Sequence, residues 1–240
     1  MNFNQKKGGN PIVAIGYFFK GIHLLMNSPL RTFVLMPVLI NIVLYSAALL
    51  LGYYYIAELI DQFIPSWLLW LSWMLWPMFF VSFFIAGLFS FTVVANLLAS
   101  PFYGKLSAKT LVLINGSTED APEQPLAKVI HAELNRAGYL LSRAIPLLIL
   151  SFIPGINVLA PVLWALFGAW GMALEYMAYP LENAGVLFEE QKTLLNRIRF
   201  GALGFGGIAA LGLALPIVNI IIAPAAVVGA TLYVHDIKQG

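Results

Sequence analysis

The sequence predicts an all-α integral membrane protein: two long transmembrane helices, two re-entrant (hemi-penetrating) helical hairpins and an N-terminal interfacial amphipathic helix. Three observations lead there. The 240 residues are 60% hydrophobic and 10% charged, with a mean hydropathy of +0.85, whereas soluble domains carry roughly 25% charged residues. Two early apolar stretches run past the roughly 20 residues that a crossing needs. Two later ones are interrupted midway by proline and asparagine. The formal net charge of +2 gives no reason to expect nucleic acid as a partner, and the lack of cysteine excludes disulfides and thiolate metal sites.

Taken in order, Gly16, Lys20, His23 and Asn27 fall at helical spacing and place a polar stripe on an interfacial helix over 12–26, its apolar face in lipid. Lys20 and His23 interrupt the apolar run and no small-residue cleavage site follows, so a cleaved leader is not expected. Ser28-Pro29 is a helix-start signal, and the first crossing covers 29–57. An acidic loop with Glu58 and Asp61 joins it to a second crossing over 66–100, which opens on SWLLWLSWMLW, tryptophans suited to the membrane–water boundary. Ser82, Ala86 and Ser90 form a small-residue ridge there. This helix extends to about 114. A breaker-rich turn and a polar helix fill 115–143, the first hairpin 144–174, a cytoplasmic helical segment 175–200 and the second hairpin 201–234. All form one membrane domain, 1–240.

Length and charge argue for the hairpins. A straight helix of about 31 residues over 144–174 would reach roughly 46 Å, beyond a hydrocarbon core of about 30 Å, and two full crossings need more chain than is present. Folding both late stretches back puts every Lys and Arg on one side, with both termini cytoplasmic, as the positive-inside bias favours. Single, strongly tilted crossings are the alternative. The two tips echo each other: Pro154, Asn157 and Pro161 in one, Pro216, Asn219 and Pro224 in the other. Each return arm would start inside the membrane with Asn as its cap and its first amides exposed. Asn157 and Asn219 either face a permeating ion or satisfy the tip's own backbone. Asn41 and Asn96 lie within the crossings, where hydrogen bonding between helices is their default role.

Arg31 is the anomaly. It stands in the first turn of the first crossing, at the positive end of the helix dipole. Two readings stand at this point: the side chain snorkels to lipid headgroups, or guanidinium, dipole and free amides together bind an anion. Other chemistry is missing. His23, His131 and His235 lack zinc spacing. The glycine-rich GALGFGG (201–207) lacks the lysine and strand of a phosphate loop, so its glycines are expected to allow close helix packing. No catalytic set is arguable, no acid lies deep enough to be an obvious proton relay, and no cofactor is expected.

Four stretches, NSPLRTFVLMPVLIN (27–41), ANLLASPFYGKL (95–106), FIPGINVLAPVLWALFGAW (152–170) and FGALGFGG…PIVNIIIAPAAVVGAT, together resemble the CysZ sulfate permeases of bacteria. The resemblance covers nearly the whole chain. It implies a non-enzymatic inner-membrane protein, helical with two crossings and hemi-penetrating hairpins, that admits sulfate for cysteine synthesis without nucleotide hydrolysis. It also implies dimers or larger oligomers. Members often carry two adjacent arginines at the start of the first crossing, implicated in sulfate binding; here the pair is Arg31 and Thr32, so one guanidinium is missing. With the family context the favoured sulfate ligands are Arg31, the backbone amides near Leu30 and Thr32, and the Thr32 hydroxyl, with Ser28 supporting the turn. Lys105 and Lys109, one helical turn apart, either line an electropositive vestibule or anchor the inner surface. The rival reading is a non-transporting membrane scaffold.

Overall fold

A computed structural model describes residues 4–26, 29–116, 126–215 and 218–239. Among these the chain is all-helical: α1 Gln5–Gly8, α2 Pro11–Met26, α3 Thr32–Phe63, α4 Ser72–Asn115, α5 Leu126–Ser151, α6 Ala160–Asn183, α7 Phe188–Arg197, α8 Arg199–Leu213 and α9 Asn219–Gln239. Among the described residues three helical segments are long and apolar enough to cross a membrane: Thr32–Phe63, Asn157–Asn183 and Asn219–Lys238.

Those three spend their apolar surface differently. The most apolar window of Thr32–Phe63 has none of its residues buried, whereas 72% of the Asn219–Lys238 window is inside the protein. α9 is the central helix, with α2, α4, α6 and α8 packed around it. Its buried face is built of small and branched residues, Ala223, Ala225, Ala226, Val227, Val228 and Ala230, ending in Tyr233, Val234 and Ile237. α3 and α4 pair with each other and leave long apolar faces uncovered, including Leu35, Leu39, Val43, Leu50 and Tyr54 on α3. An aromatic run, Tyr53–Trp76–Phe79–Phe83, fastens the outer part of that pair.

Close crossings explain the glycines. A Cβ on Gly21 of α2 would collide with the α9 backbone at Ala225 and Gly229, and one on Gly206 of α8 would collide with the α6 backbone at Ala169 and Ala173. Gly201 meets Gly8 and Tyr233 in the same way. The GALGFGG stretch therefore serves packing, as its composition suggested.

Four boundaries differ from the sequence reading. Glu58 and Asp61 are helical, because nothing breaks α3 until Pro65, which holds Ile64 extended (φ −98°, ψ 111°). The stretch 66–71 is a 3-10 helix rather than the start of the crossing proper. The segment 175–200, expected as a helix, is split: α6 runs to Asn183, the chain turns over 184–187 with Gly185 at φ +75°, and α7 ends at Ile198 (φ −117°, ψ 28°), a fully buried side chain against which Gly8 packs. The N-terminal helix α2 turns Ala14, Tyr17, Phe18, Gly21 and Leu25 onto the protein core instead of lipid, leaving Ile12, Phe19 and Met26 as a narrower exposed apolar line.

α5 and α6 reverse direction at 152–159, where Gly155 takes φ +86°, a backbone that side-chain-bearing residues rarely adopt. Trp164 donates to Ser151 Oγ at 3.0 Å and Trp170 to Tyr139 Oη at 3.1 Å, joining the two arms. Asn157 does not cap the return arm: the cap position of α6 is Leu159, with no side-chain hydrogen bond to its first amides. At the other end of the fold the chain termini meet. Asn4 N–H donates to Ile237 O at 2.9 Å, Tyr233 hydroxyl donates to Gly8 O, and Lys7 pairs with Asp236 at 2.5 Å.

Overpacking a close crossing costs about 1–3 kcal/mol. Gly206→Ala is thus expected to lower the melting temperature in detergent by several degrees. Gly16→Ala, with open space around it, should leave it unchanged in the same thermal scan.

Candidate functional site

The turn that opens α3 is a short 3-10 helix, Pro29–Arg31, touching α2, α3 and α4. Leu30 is 0% exposed and belongs to the core. A 3-10 turn advances about a third of a rotation per residue, and with Leu30 pinned inward its neighbours Arg31 and Thr32 are both exposed. Arg31 occupies the cap position of α3 in helical conformation (φ −54°, ψ −25°), and its own side chain makes no capping hydrogen bond. Among the described residues no carboxylate pairs with Arg31. A guanidinium and the positive end of a helix dipole thus share one exposed turn, an arrangement whose counterpart is an anion. Ser28 lies outside the described residues.

The remaining predicted residues do not gather around it in one cluster. Lys105 and Lys109 are exposed on one face of α4, while Leu106, Ser107 and Thr110 on the other face are buried. Ser107 is tied to α9 by a 2.9 Å hydroxyl–hydroxyl hydrogen bond with Thr231. Asn157 is exposed at the first tip. Asn219, 5% exposed, lines an open cavity instead. Asn41 and Asn96 belong to α3 and α4, their side chains outside the described part of the structure.

That cavity, about 480 Å³, lies among α4, α6, α8 and α9 and is lined by Tyr103, Met172, Glu175, Tyr176, Tyr179 and Asn219, among others. Tyr179 hydroxyl donates to Glu175 Oε1 at 3.1 Å. The lining holds a carboxylate and no Lys or Arg, so its charge opposes a dianion. Sequence reasoning placed Glu175 only near a membrane boundary. The signal for more was Glu175 and Tyr179 at four-residue spacing.

Sequence reasoning also treated Arg136 as one of many inner-surface charges, whereas it is buried. Its Nη2 donates to Glu182 Oε1 at 2.7 Å and to Gln191 Oε1 at 2.9 Å, and Nη1 pairs with Glu133 at 3.1 Å. Gln191 in turn donates to Val186 O at 2.8 Å. Three helices, α5, α6 and α7, are clamped by this one fork. Burial lifts the Glu133 carboxyl above the ordinary carboxylate value, and Arg136 pulls it partly back. The clue was positional: Ala132, Arg136, Tyr139 and Leu140 share one helical stripe, and the rest of that stripe is apolar.

Comparison with known proteins adds a finding of a different kind. Residues 17–224 match the family described as sulfate transporter CysZ/etoposide-induced protein 2.4. The sulfate transporter CysZ of Pseudomonas fluorescens (strain Pf0-1) is 40% identical over 227 residues, covering 90% of each chain. That of Pseudomonas aeruginosa (strain LESB58) is 37% identical over 228 residues, covering 90% of this chain and 92% of the relative. That of Pectobacterium atrosepticum is 38% identical over 227 residues, 91% of this chain and 82% of the relative.

Removing one partner of a buried ion pair costs about 3–5 kcal/mol; because Glu182 and Glu133 keep 34% and 49% side-chain exposure, the lower end applies. Arg136→Ala should therefore lower thermal stability in detergent by about 3 kcal/mol. Arg136→Lys should recover less than half of that, since an ammonium cannot reproduce the fork.

Proposed function

The chain belongs to the sulfate transporter CysZ/etoposide-induced protein 2.4 family, and from that membership we propose that it carries sulfate across the bacterial inner membrane for cysteine synthesis. The observation that carries this reading is a match spanning about 90% of this chain and of its relatives alike. The binding site for the dianion is the α3 turn, on the inner side of this topology, with Arg31 and the Thr32 hydroxyl as side-chain ligands and the amides near Leu30 and Thr32 beside them. Support comes from the exposure of both side chains, their place at the positive end of the α3 dipole and, among the described residues, the absence of a carboxylate partner for Arg31. Lys105 and Lys109 raise the local concentration of anions on the inner face. Dimers or larger oligomers are part of the same proposal, and the uncovered apolar faces of α3 and α4 suit lipid and a second copy.

The topology proposed has α3 and α4 crossing, the α5–α6 and α8–α9 pairs dipping in and returning, and both termini cytoplasmic. Helix lengths support it. α8 has 15 residues, about 22 Å at 1.5 Å per residue, and the apolar end of α5 after Arg143 has only eight, about 12 Å. Neither of these two arms spans a core of about 30 Å, whereas α6 and α9 are long enough to do so. The tip of the first pair is apolar and open, Phe152 and Val158 being 78% and 76% exposed.

The route proposed is channel-like or facilitative without ATP hydrolysis, since the sequence offers neither a phosphate loop nor a deep acid as proton relay. Bringing two negative charges in against 100 mV costs about 4.6 kcal/mol, so unaided influx needs outside sulfate to exceed inside sulfate by about three decades. Rapid consumption of sulfate inside keeps such a route running. Sulfate-dependent flux into liposomes holding only this protein is the direct test, and a folded protein that gives none refutes the transport reading. Arg31→Ala should weaken sulfate binding about 10- to 100-fold, the loss of one charge-assisted contact worth about 1.5–3 kcal/mol, while leaving the melting temperature unchanged. Wild-type affinity in that variant removes the α3 turn from the site. Cysteines placed at exposed positions 189 and 193 should react with a membrane-impermeant reagent only after the cells are opened; labelling of intact spheroplasts would refute the hairpins.

A further inference from the structure

Arg143 is the last charged residue before a charge-free run over 144–174, and its side chain turns back along α5. The guanidinium carbon lies 3.6 Å from the centroid of the Tyr139 ring, and Nη1 donates to Tyr139 O at 3.3 Å. Lys192 of α7 approaches the same ring, its Nζ 5.6 Å from the centroid, and sits equally far from Phe188. The two cations are therefore no more than about 9 Å apart. Tyr139 is fixed in turn by the Trp170 indole at 3.1 Å. The one carboxylate in the cluster is Glu189, paired with Lys192 at 2.6 Å. Arg143 has no carboxylate partner among the described residues, so the cluster carries one net positive charge.

The surface beneath it decides the ligand. Pro146, Leu147 and Leu150 follow Arg143 on its own face of α5, all exposed or half-buried, with no polar side chain among them until Ser151. A small anion would need only the cations. A charged group set directly above an open apolar strip matches an amphiphile, its phosphate at the cations and its chain along the helix.

We propose that Arg143, Tyr139, Trp170 and Lys192 form a headgroup site for an anionic phospholipid at the α5–α7 junction. The stacked guanidinium and the ammonium hold the phosphate, and the half-buried strip below holds acyl chain. Nothing in this assignment depends on what the protein transports, and its test is read without sulfate.

Native mass spectrometry of the full chain released from detergent, with phosphatidylglycerol or phosphatidylcholine added, measures the site. The wild-type protein should retain phosphatidylglycerol several-fold better than phosphatidylcholine. Arg143→Gln combined with Lys192→Gln should abolish that preference, whereas Lys128→Gln, an exposed cation earlier on α5, should keep it. Wild-type preference in the double variant, or an equal loss in Lys128→Gln, overturns the site. Displacement of the lipid by millimolar inorganic phosphate overturns the lipid in favour of a free anion. If the double variant does not fold, Lys192→Gln alone gives the reading: at least a halved preference supports the site, and an unchanged one refutes it.

Discussion

Everything in this molecule leans on how closely α2 and its neighbours can approach α9. In a bilayer, apolar helices gain little from burying greasy side chains against each other, because lipid is as apolar as leucine; association there rests on close packing. Gly21 over Gly229 supplies that contact between α2 and α9, and Gly206 against Ala169 and Ala173 supplies it between α8 and α6. The apolar residues of α9 are correspondingly small, with Ala and Val where α3 carries Leu, Tyr and Ile. The more apolar helix, α3, is left uncovered, and the less apolar one, α9, forms the core.

That packing also orients the charge. α2 held against α9 presents the chain at residue 29, and the wholly buried Leu30 fixes the turn from inside. Arg31 is exposed because its predecessor is anchored. The buried charge, Arg136, has the opposite treatment: two carboxylates and a glutamine surround it, as its desolvation requires. One arginine is spent on joining helices and the other is left open, and the difference lies in what the neighbouring helices offer each.

Much of this was legible in the residues. Composition gave the membrane class, and proline and asparagine spacing gave the turn near 154; Pro216 lies outside the described residues. Glycine-rich 201–207 gave close packing. The boundaries at 57, 66 and 198 were less legible, because a helix continues until something stops it: Pro65 does so for α3, while the turn at Ile198 has no local breaker and reflects a tertiary contact with Gly8. The lipid-facing expectation for α2 failed for a related reason. Periodicity shows that a face is apolar, but whether lipid or protein covers it depends on helices more than 200 residues away. Glu175 and Arg136 were underweighted because both lie on helices read only for charge sidedness. The Arg31 turn stood out as an anomaly of sequence, and it remains the place where exposure, dipole and charge agree.

The position of α9 in the chain has a consequence for how the molecule is made. Each helix that packs on it, α2, α4, α6 and α8, precedes it in sequence, so the ribosome delivers the keystone after the stones it supports. Until α9 is made, α2 has only part of its protein contact, so the packing of α2 is completed late in synthesis.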